Sequence, residues 1–362
     1  MKTPARVLDK QGRQLGNFVV LGLLLFVWGC GDGSVSDQPD AGGPPDAAPA
    51  PPDAAPAPDV APPPPPPGDP PVWVDGVDGL DSTVPWLKIT AVDVGQGDGL
   101  VLGLPSGKVM ALDGGPADKD NAYQKFLDAE GYKTLDYMLL THAHSDHYTG
   151  LNAVVNRLPD DCEPRAMDPG YFRMDVVGYK TWRTAVGCHY QALAIDQTVM
   201  LDPLVDIQVL GAADMPYPGN DNSGVNNTSV MLHLRYGRFT ALLSGDSESE
   251  AEAKVLQRAE SSLPSTVLKA GHHGSCTASA TSFLRAVNPA YVLISAGAGN
   301  TYGLPNCQTM AKLKTSSAHW YRTDTNGDLR VVSDGTRYTI VVSRGDRDDD
   351  SCPRDCANYN DF

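Results

Sequence analysis

From Gly31 to Pro71 the chain is almost entirely Pro, Ala, Asp and Gly, with Pro-Asp-Ala recurring, and this stretch limits what the rest can fold into. It has too few apolar side chains to offset the entropy of ordering it, so it reads as a disordered tether. Of 362 residues, about 280 remain downstream to pack a core, enough for one large domain. At about 3.1 Å per residue, such a tether would hold that domain on the order of 100 Å from its attachment point.

The tether is preceded by what reads as an export signal. Lys2, Arg6, Lys10 and Arg13 come before an apolar run from Phe18 to Trp28, which is too short to span a bilayer. The run ends in Val27-Trp28-Gly29-Cys30, which resembles a bacterial lipobox whose cysteine, Cys30, takes the lipid; an ordinary signal peptide cleaved nearby is the alternative. The expected organisation is a lipoprotein-type signal over 1–30, a tether over 31–71, a folded domain over 72–350 and a short acidic, Cys-containing tail over 351–362. The expected location is extracytoplasmic, with the membrane reached through the lipid anchor.

Setting Cys30 aside leaves six of the 7 cysteines, an even number that suits an oxidising compartment. Proximity in the chain favours Cys162 with Cys188, Cys276 with Cys307, and Cys352 with Cys356, one of several possible connectivities. The formal charge is −16. Beyond residue 70 there are 24 basic and 36 acidic groups with no basic track, which argues against a tight, sequence-independent grip on nucleic acid.

Within the folded part, short apolar runs over 86–94, 99–105 and 108–112 predict a strand meander. A helix over 121–130, a strand over 135–140 and a helix over 151–158 follow. The second half repeats this order, with strands over 205–210, 229–236 and 239–243, a helix over 247–259, a strand over 266–270, a helix over 280–287 and a strand over 291–295. Segments 329–332 and 338–342 flank Asp334-Gly335, which predicts a hairpin with a type I′ turn. Two β-rich halves with helices outside imply an α/β fold, an αββα sandwich.

Thr141-His142-Ala143-His144-Ser145-Asp146-His147 follows a strand end and puts three imidazoles and a carboxylate within six residues. Neutral imidazole and carboxylate oxygen together suit zinc, manganese or iron. Alternation sends His142 and His144 one way and leaves Asp146 and His147 for a second ion. Gly95-Gln96-Gly97-Asp98 lacks the spacing of a phosphate loop and reads as a tight strand turn.

The histidine motif resembles the HxHxDH signature of the metallo-β-lactamase superfamily, and other matches follow in order. Ser244-Gly245-Asp246 resembles its bridging aspartate and Lys269-Ala270-Gly271-His272-His273-Gly274-Ser275 its late histidine motif. More narrowly, residues 86–343 resemble the extracellular hydrolase domain of ComEC-type DNA-uptake competence proteins and their free-standing relatives. The resemblance rests further on Val92–Asp98, Leu112–Gly115, Asn226–Val230, Asn300–Pro305 and Arg322–Gly327. It implies two divalent ions, Zn or Mn, held by His142, His144, Asp146, His147, Asp246 and His273, with Asp246 shared. The chain departs from the pattern at Leu304, where that family has histidine, and it offers no clear middle histidine: His189 and His233 both read as surface or core residues.

Two such ions would lower the pKa of a shared water toward about 7 and deliver hydroxide to a phosphoryl or acyl centre. His272 would touch the substrate or protonate the leaving group, with a packed structural role as the alternative. Asp93, Asp98 and Asp113 are expected to orient imidazoles or to serve as turn residues. The function expected is a metal-dependent hydrolase of small or polymeric phosphodiesters. The alternatives are hydrolysis of a carbonyl substrate such as a lactone, thioester or β-lactam, or a non-catalytic binding scaffold.

Overall fold

The structure, a computed structural model, describes residues 69–117, 121–213 and 222–356; the expected signal, Cys30 and the tether up to residue 68 lie outside the described residues. The first strands are β1 (Val72–Trp73), β2 (Leu87–Ala91), β3 (Gly99–Gly103), β4 (Val109–Gly114), β5 (Tyr137–Leu139), β6 (Ala166–Asp168) and β7 (Tyr190–Ala192). After them come β8 (Val205–Gly211), β9 (Met231–Tyr236), β10 (Phe239–Leu243), β11 (Val267–Lys269), β12 (Tyr291–Ile294), β13 (His319–Arg322), β14 (Leu329–Ser333) and β15 (Arg337–Val342). The helices are α1 (Ala122–Ala129), α2 (Ser145–Val154), α3 (Val177–Val186), α4 (Asn222–Asn226), α5 (Ser249–Ala259), α6 (Thr281–Val287), α7 (Cys307–Thr315) and α8 (Thr323–Asn326).

Among the described residues, the strands form a nine-stranded sheet in the order β1-β15-β14-β2-β3-β4-β5-β6-β7 and a six-stranded sheet in the order β13-β12-β11-β10-β9-β8. Each sheet joins an antiparallel meander to a parallel block: β4 to β7 in the first, β10 to β13 in the second. Period-two alternation explains the layers. Met110 and Leu112 of β4 join Ala241 and Leu243 of β10 in a core between the sheets. Ala111 instead joins Leu151 and Trp182 under α1 to α3, and Leu242 joins Phe283 and Leu313 under α5 to α7. This is the αββα sandwich the pattern implied.

Two local expectations are corrected. The helix expected over 151–158 begins at Ser145, inside the histidine motif, and ends at Val154. A helix could start there because glycines let it lie directly on β4: a Cβ on Gly150 would sit 1.8 Å from the Gly114 carbonyl oxygen. At the final hairpin, Gly335 has φ +89° but Asp334 is not in the left-handed region, so the turn is not type I′. Asp334 Oδ1 instead accepts the Thr336 and Arg337 amides at 2.9 and 2.7 Å.

The disulfides are Cys162–Cys188, as expected, and Cys276–Cys356 and Cys307–Cys352, which replace the other two expected pairs. Chain proximity misled there because the tail folds back along α7, where the Cys307 amide donates to the Arg354 carbonyl at 3.0 Å. Sequence reasoning also passed over β6, β7, β13, α3 and α7.

Candidate metal centre

The carboxyl ends of the parallel strands supply the chemistry, as open α/β sheets commonly do. β4 carries Asp113 as its penultimate residue, β5 leads to Thr141 and His142, β10 to Asp246, β11 to His272 and His273, and β12 to Ser295. α2 starts between His144 and Asp146, placing Asp146 and His147 on its first turn. Asp113, His272 and His273 all have left-handed backbones, with φ of 54°, 44° and 54°. Such conformations are uncommon for residues with side chains and gather at functional sites.

The six expected ligands converge. Asp246 Oδ2 lies 3.2 Å from both His147 Nε2 and His273 Nε2, and 3.8 Å from His142 Nε2. Asp146 Oδ2 is 3.4 Å from His273 Nε2 and 3.9 Å from His147 Nε2. His142 Nε2 and His144 Nδ1 face each other at 2.9 Å. Triplets able to hold a cation include His142 with His147 and Asp246, and Asp146 with His147 and His273.

The residues fit such ions on more than donor type. Asp246 Oδ1 and His273 Nε2 are buried and make no hydrogen bond, a costly state for a polar atom that a bound cation relieves. The electrostatics agree. Burial alone would suppress charge on His147 and His273, yet the carboxylate of Asp246, joined by Asp113 and Asp98 respectively, holds both imidazoles well above their ordinary value. Burial would likewise raise Asp246, but His273 and His147 hold it well below the carboxylate range. At His142 and His144 burial prevails, and both are pushed down. A pocket that draws protons onto imidazoles is one that calls for positive charge.

The residues expected to orient imidazoles divide. Asp113 Oδ2 sits 2.8 Å from His147 Nδ1, and Asp98 Oδ1 3.3 Å from His273 Nδ1, as expected. Asp93 does not join them: its carboxylate pairs with Arg344 at 3.1 Å, on the surface, and its amide donates to Asp328 at 2.8 Å. It alternates away because Val92 and Val94 take the inward positions. His189 meets the Glu163 carbonyl at 3.0 Å, and His233 the Pro264 carbonyl at 3.4 Å, so neither supplies a middle imidazole.

His272 stands at the rim with 28% of its side chain exposed and its Nδ1 3.1 Å from Glu248 Oε1. Ser223 Oγ and Asn226 Nδ2 each donate to Glu248 at 2.7 Å. Sequence reasoning missed two participants. One is Glu248, two residues beyond the aspartate in Ser244-Gly245-Asp246. The other is Lys269, buried to 1% exposure, whose ammonium sits 2.5 Å from Asp98. A lysine among apolar neighbours at a strand end was the available signal for the second.

Comparison with known proteins places these features. The model of a family described as the metallo-beta-lactamase superfamily matches residues 113–297. The chain is 28% identical over 260 residues to ComE operon protein 3 of Bacillus subtilis (strain 168), covering 67% of this chain and 32% of that protein. It is 27% identical over 242 residues to competence protein ComA of Neisseria gonorrhoeae, with the same coverage of 67% and 32%. The chain therefore matches about a third of the length of these curated relatives. Among solved structures, it is similar to the metallo-beta-lactamase fold protein YhfI from Bacillus subtilis, with TM-score 0.45, 13% identity, and coverage of 67% of this chain and 99% of that one.

Proposed function

Because the chain belongs to the metallo-β-lactamase superfamily, we propose that it is a metal-dependent hydrolase that cleaves phosphodiesters outside the cytoplasmic membrane. The observation that carries this reading is the convergence of His142, His144, Asp146, His147 and His273 on Asp246, whose buried Oδ1 accepts no hydrogen bond. These six residues would hold two divalent cations, zinc or manganese; when bound, such ions activate water near neutral pH and offset charge on a phosphoryl oxygen. Similarity to competence proteins favours a phosphodiester. The acidic balance of the chain favours a short or locally engaged one over a long polyanion.

The remaining steps belong to side chains of this protein. Asp113 and Asp98 fix the rotation of the His147 and His273 rings. His272, steadied by Glu248, would hand a proton to a leaving-group oxygen. Glu248 would act through His272, as a positioning residue. Export is supported by the three disulfides among the described residues. The lipid on Cys30 and the tether remain part of the proposal, and no described helix is long and apolar enough to cross a membrane.

The test is elemental analysis of the purified full chain, paired with hydrolysis of bis(p-nitrophenyl) phosphate by wild type and Asp146→Ala. About two equivalents of zinc or manganese, with turnover lost in the variant, is the expected result. A folded protein that takes up no metal, or equal turnover in both proteins, overturns it.

A further inference from the structure

The two sides of the cluster are built unequally. On one side, each imidazole has its outward nitrogen fixed. His147 Nδ1 is 2.8 Å from Asp113 Oδ2, and Asp113 in turn accepts the Thr141 amide and hydroxyl at 2.8 and 2.6 Å. His273 Nδ1 faces the Ser295 carbonyl at 3.0 Å and Asp98 Oδ1 at 3.3 Å. Asp98 is held by Lys269, which also donates to the Gly245 carbonyl at 3.1 Å. Both Nε2 atoms then point at Asp246, with Asp146 beside them. This side offers two imidazoles and two carboxylates, a full set for one ion.

The other side offers less. His142 Nδ1 meets only the Thr141 hydroxyl, at 3.1 Å, and its Nε2 lies 3.8 Å from Asp246 Oδ2. His144 is half-buried, and among the described residues no carboxylate or carbonyl backs its ring. The third imidazole is absent, since His189 and His233 are engaged elsewhere. Two imidazoles and a shared carboxylate leave at least one position to water or to a phosphate oxygen of the substrate.

Resting on the metal-dependent reading above, we propose that the two ion sites differ strongly in affinity. Asp146, His147, His273 and Asp246 hold one divalent ion tightly, while His142 and His144, sharing Asp246, hold a second that exchanges freely. Outer hydrogen bonds to ligands are worth about 10–100-fold each in metal affinity, so two carboxylates in direct contact on one side, against one reached only through the Thr141 hydroxyl on the other, separate the sites by about 10-fold or more.

The full chain, stripped by chelation, is titrated with Zn2+ and separately with Mn2+, using a chromophoric competitor for affinity and elemental analysis after dialysis for stoichiometry. The expected result is one ion retained through dialysis and a second that is lost. His142→Ala removes only the weak ion. Asp113→Asn weakens the tight one about 10–100-fold, and Asp98→Asn gives the same readout should the first variant fail to fold. Two ions of equal affinity, or a tight ion displaced by His142→Ala, overturn this inference and leave the hydrolase reading intact. A folded chain that binds no ion overturns both.

Discussion

The two histidine segments that meet at Asp246 are held by different means. Thr141 to His147 runs from β5 straight into the first turn of α2, where Asp146 complements the helix dipole. Its backbone path follows from the strand-to-helix turn, while Asp113 of β4 accepts the Thr141 amide and hydroxyl. Gly271 to Gly274 instead bends through two consecutive left-handed histidines. The bend is held from outside: the Asn306 amide donates to the Gly274 carbonyl at 3.0 Å, Asn306 Oδ1 accepts the Cys276 amide at 2.9 Å, and Thr309 Oγ1 donates to the Ser275 carbonyl at 2.9 Å. Cys276 is also tied to Cys356, 80 residues away in sequence. A helix start sets the backbone of the first segment, whereas the strained second one relies on contacts from distant segments.

The largest expected effect falls where the two segments join. Asp246→Ala should drop hydrolysis to background and release both ions, read by turnover and elemental analysis; an ion retained at full affinity would mean that the segments do not depend on this carboxylate. The bracing itself is tested by comparing disulfides. Loss of either Cys162–Cys188 or Cys276–Cys356 by paired Ser substitution should lower unfolding free energy by about 2–4 kcal/mol in denaturant titration. Only the second pair should also lower turnover, and equal turnover in the two variants would break the contrast.

Glu252 sharpens the same point through pH. It is buried on α5 and accepts the Ser279 and Ala280 amides at 2.6 and 2.9 Å, just beyond the strained bend. Burial raises its carboxyl from 4.5 to about 7. A raised folded value means that the protonated form is favoured by folding, so this stability is present below about 4.5 and is lost as pH rises through about 7. The loss is up to about 3 kcal/mol. Thermal unfolding of Glu252→Gln should show a flatter dependence between pH 4.5 and 7; an unchanged slope would place the titration elsewhere. The smallest effect is expected at the surface pair of Asp93 and Arg344, where Arg344→Ala should cost under about 1 kcal/mol and leave ion content and turnover unchanged.

Much of the fold was legible because β8, β10 and β12 alternate or run apolar between clear turn signals, and the expected bounds lie within one residue of those observed. The parallel strands β6 and β7 are too short to show a period and were missed; α3 was passed over although its buried Tyr179, Trp182 and Val186 lie at helical spacing. All six expected ligands were readable as motifs, and the structure brings them together. Asp93 lies apart from the imidazoles, since a motif of acidic residues does not say which of them alternates inward. Glu248 and Lys269 were overlooked because their roles exist only through partners far along the chain.

What the sequence determined alone is the set of donor atoms, their chain order and the two-sheet pattern, since each depends on residue type and local period. The tertiary structure decided which cysteines pair, which carboxylates stand behind which imidazoles, and that one side of the cluster is braced more fully than the other. Those outcomes are distances between segments tens of residues apart, and only packing the strand ends against one another sets them.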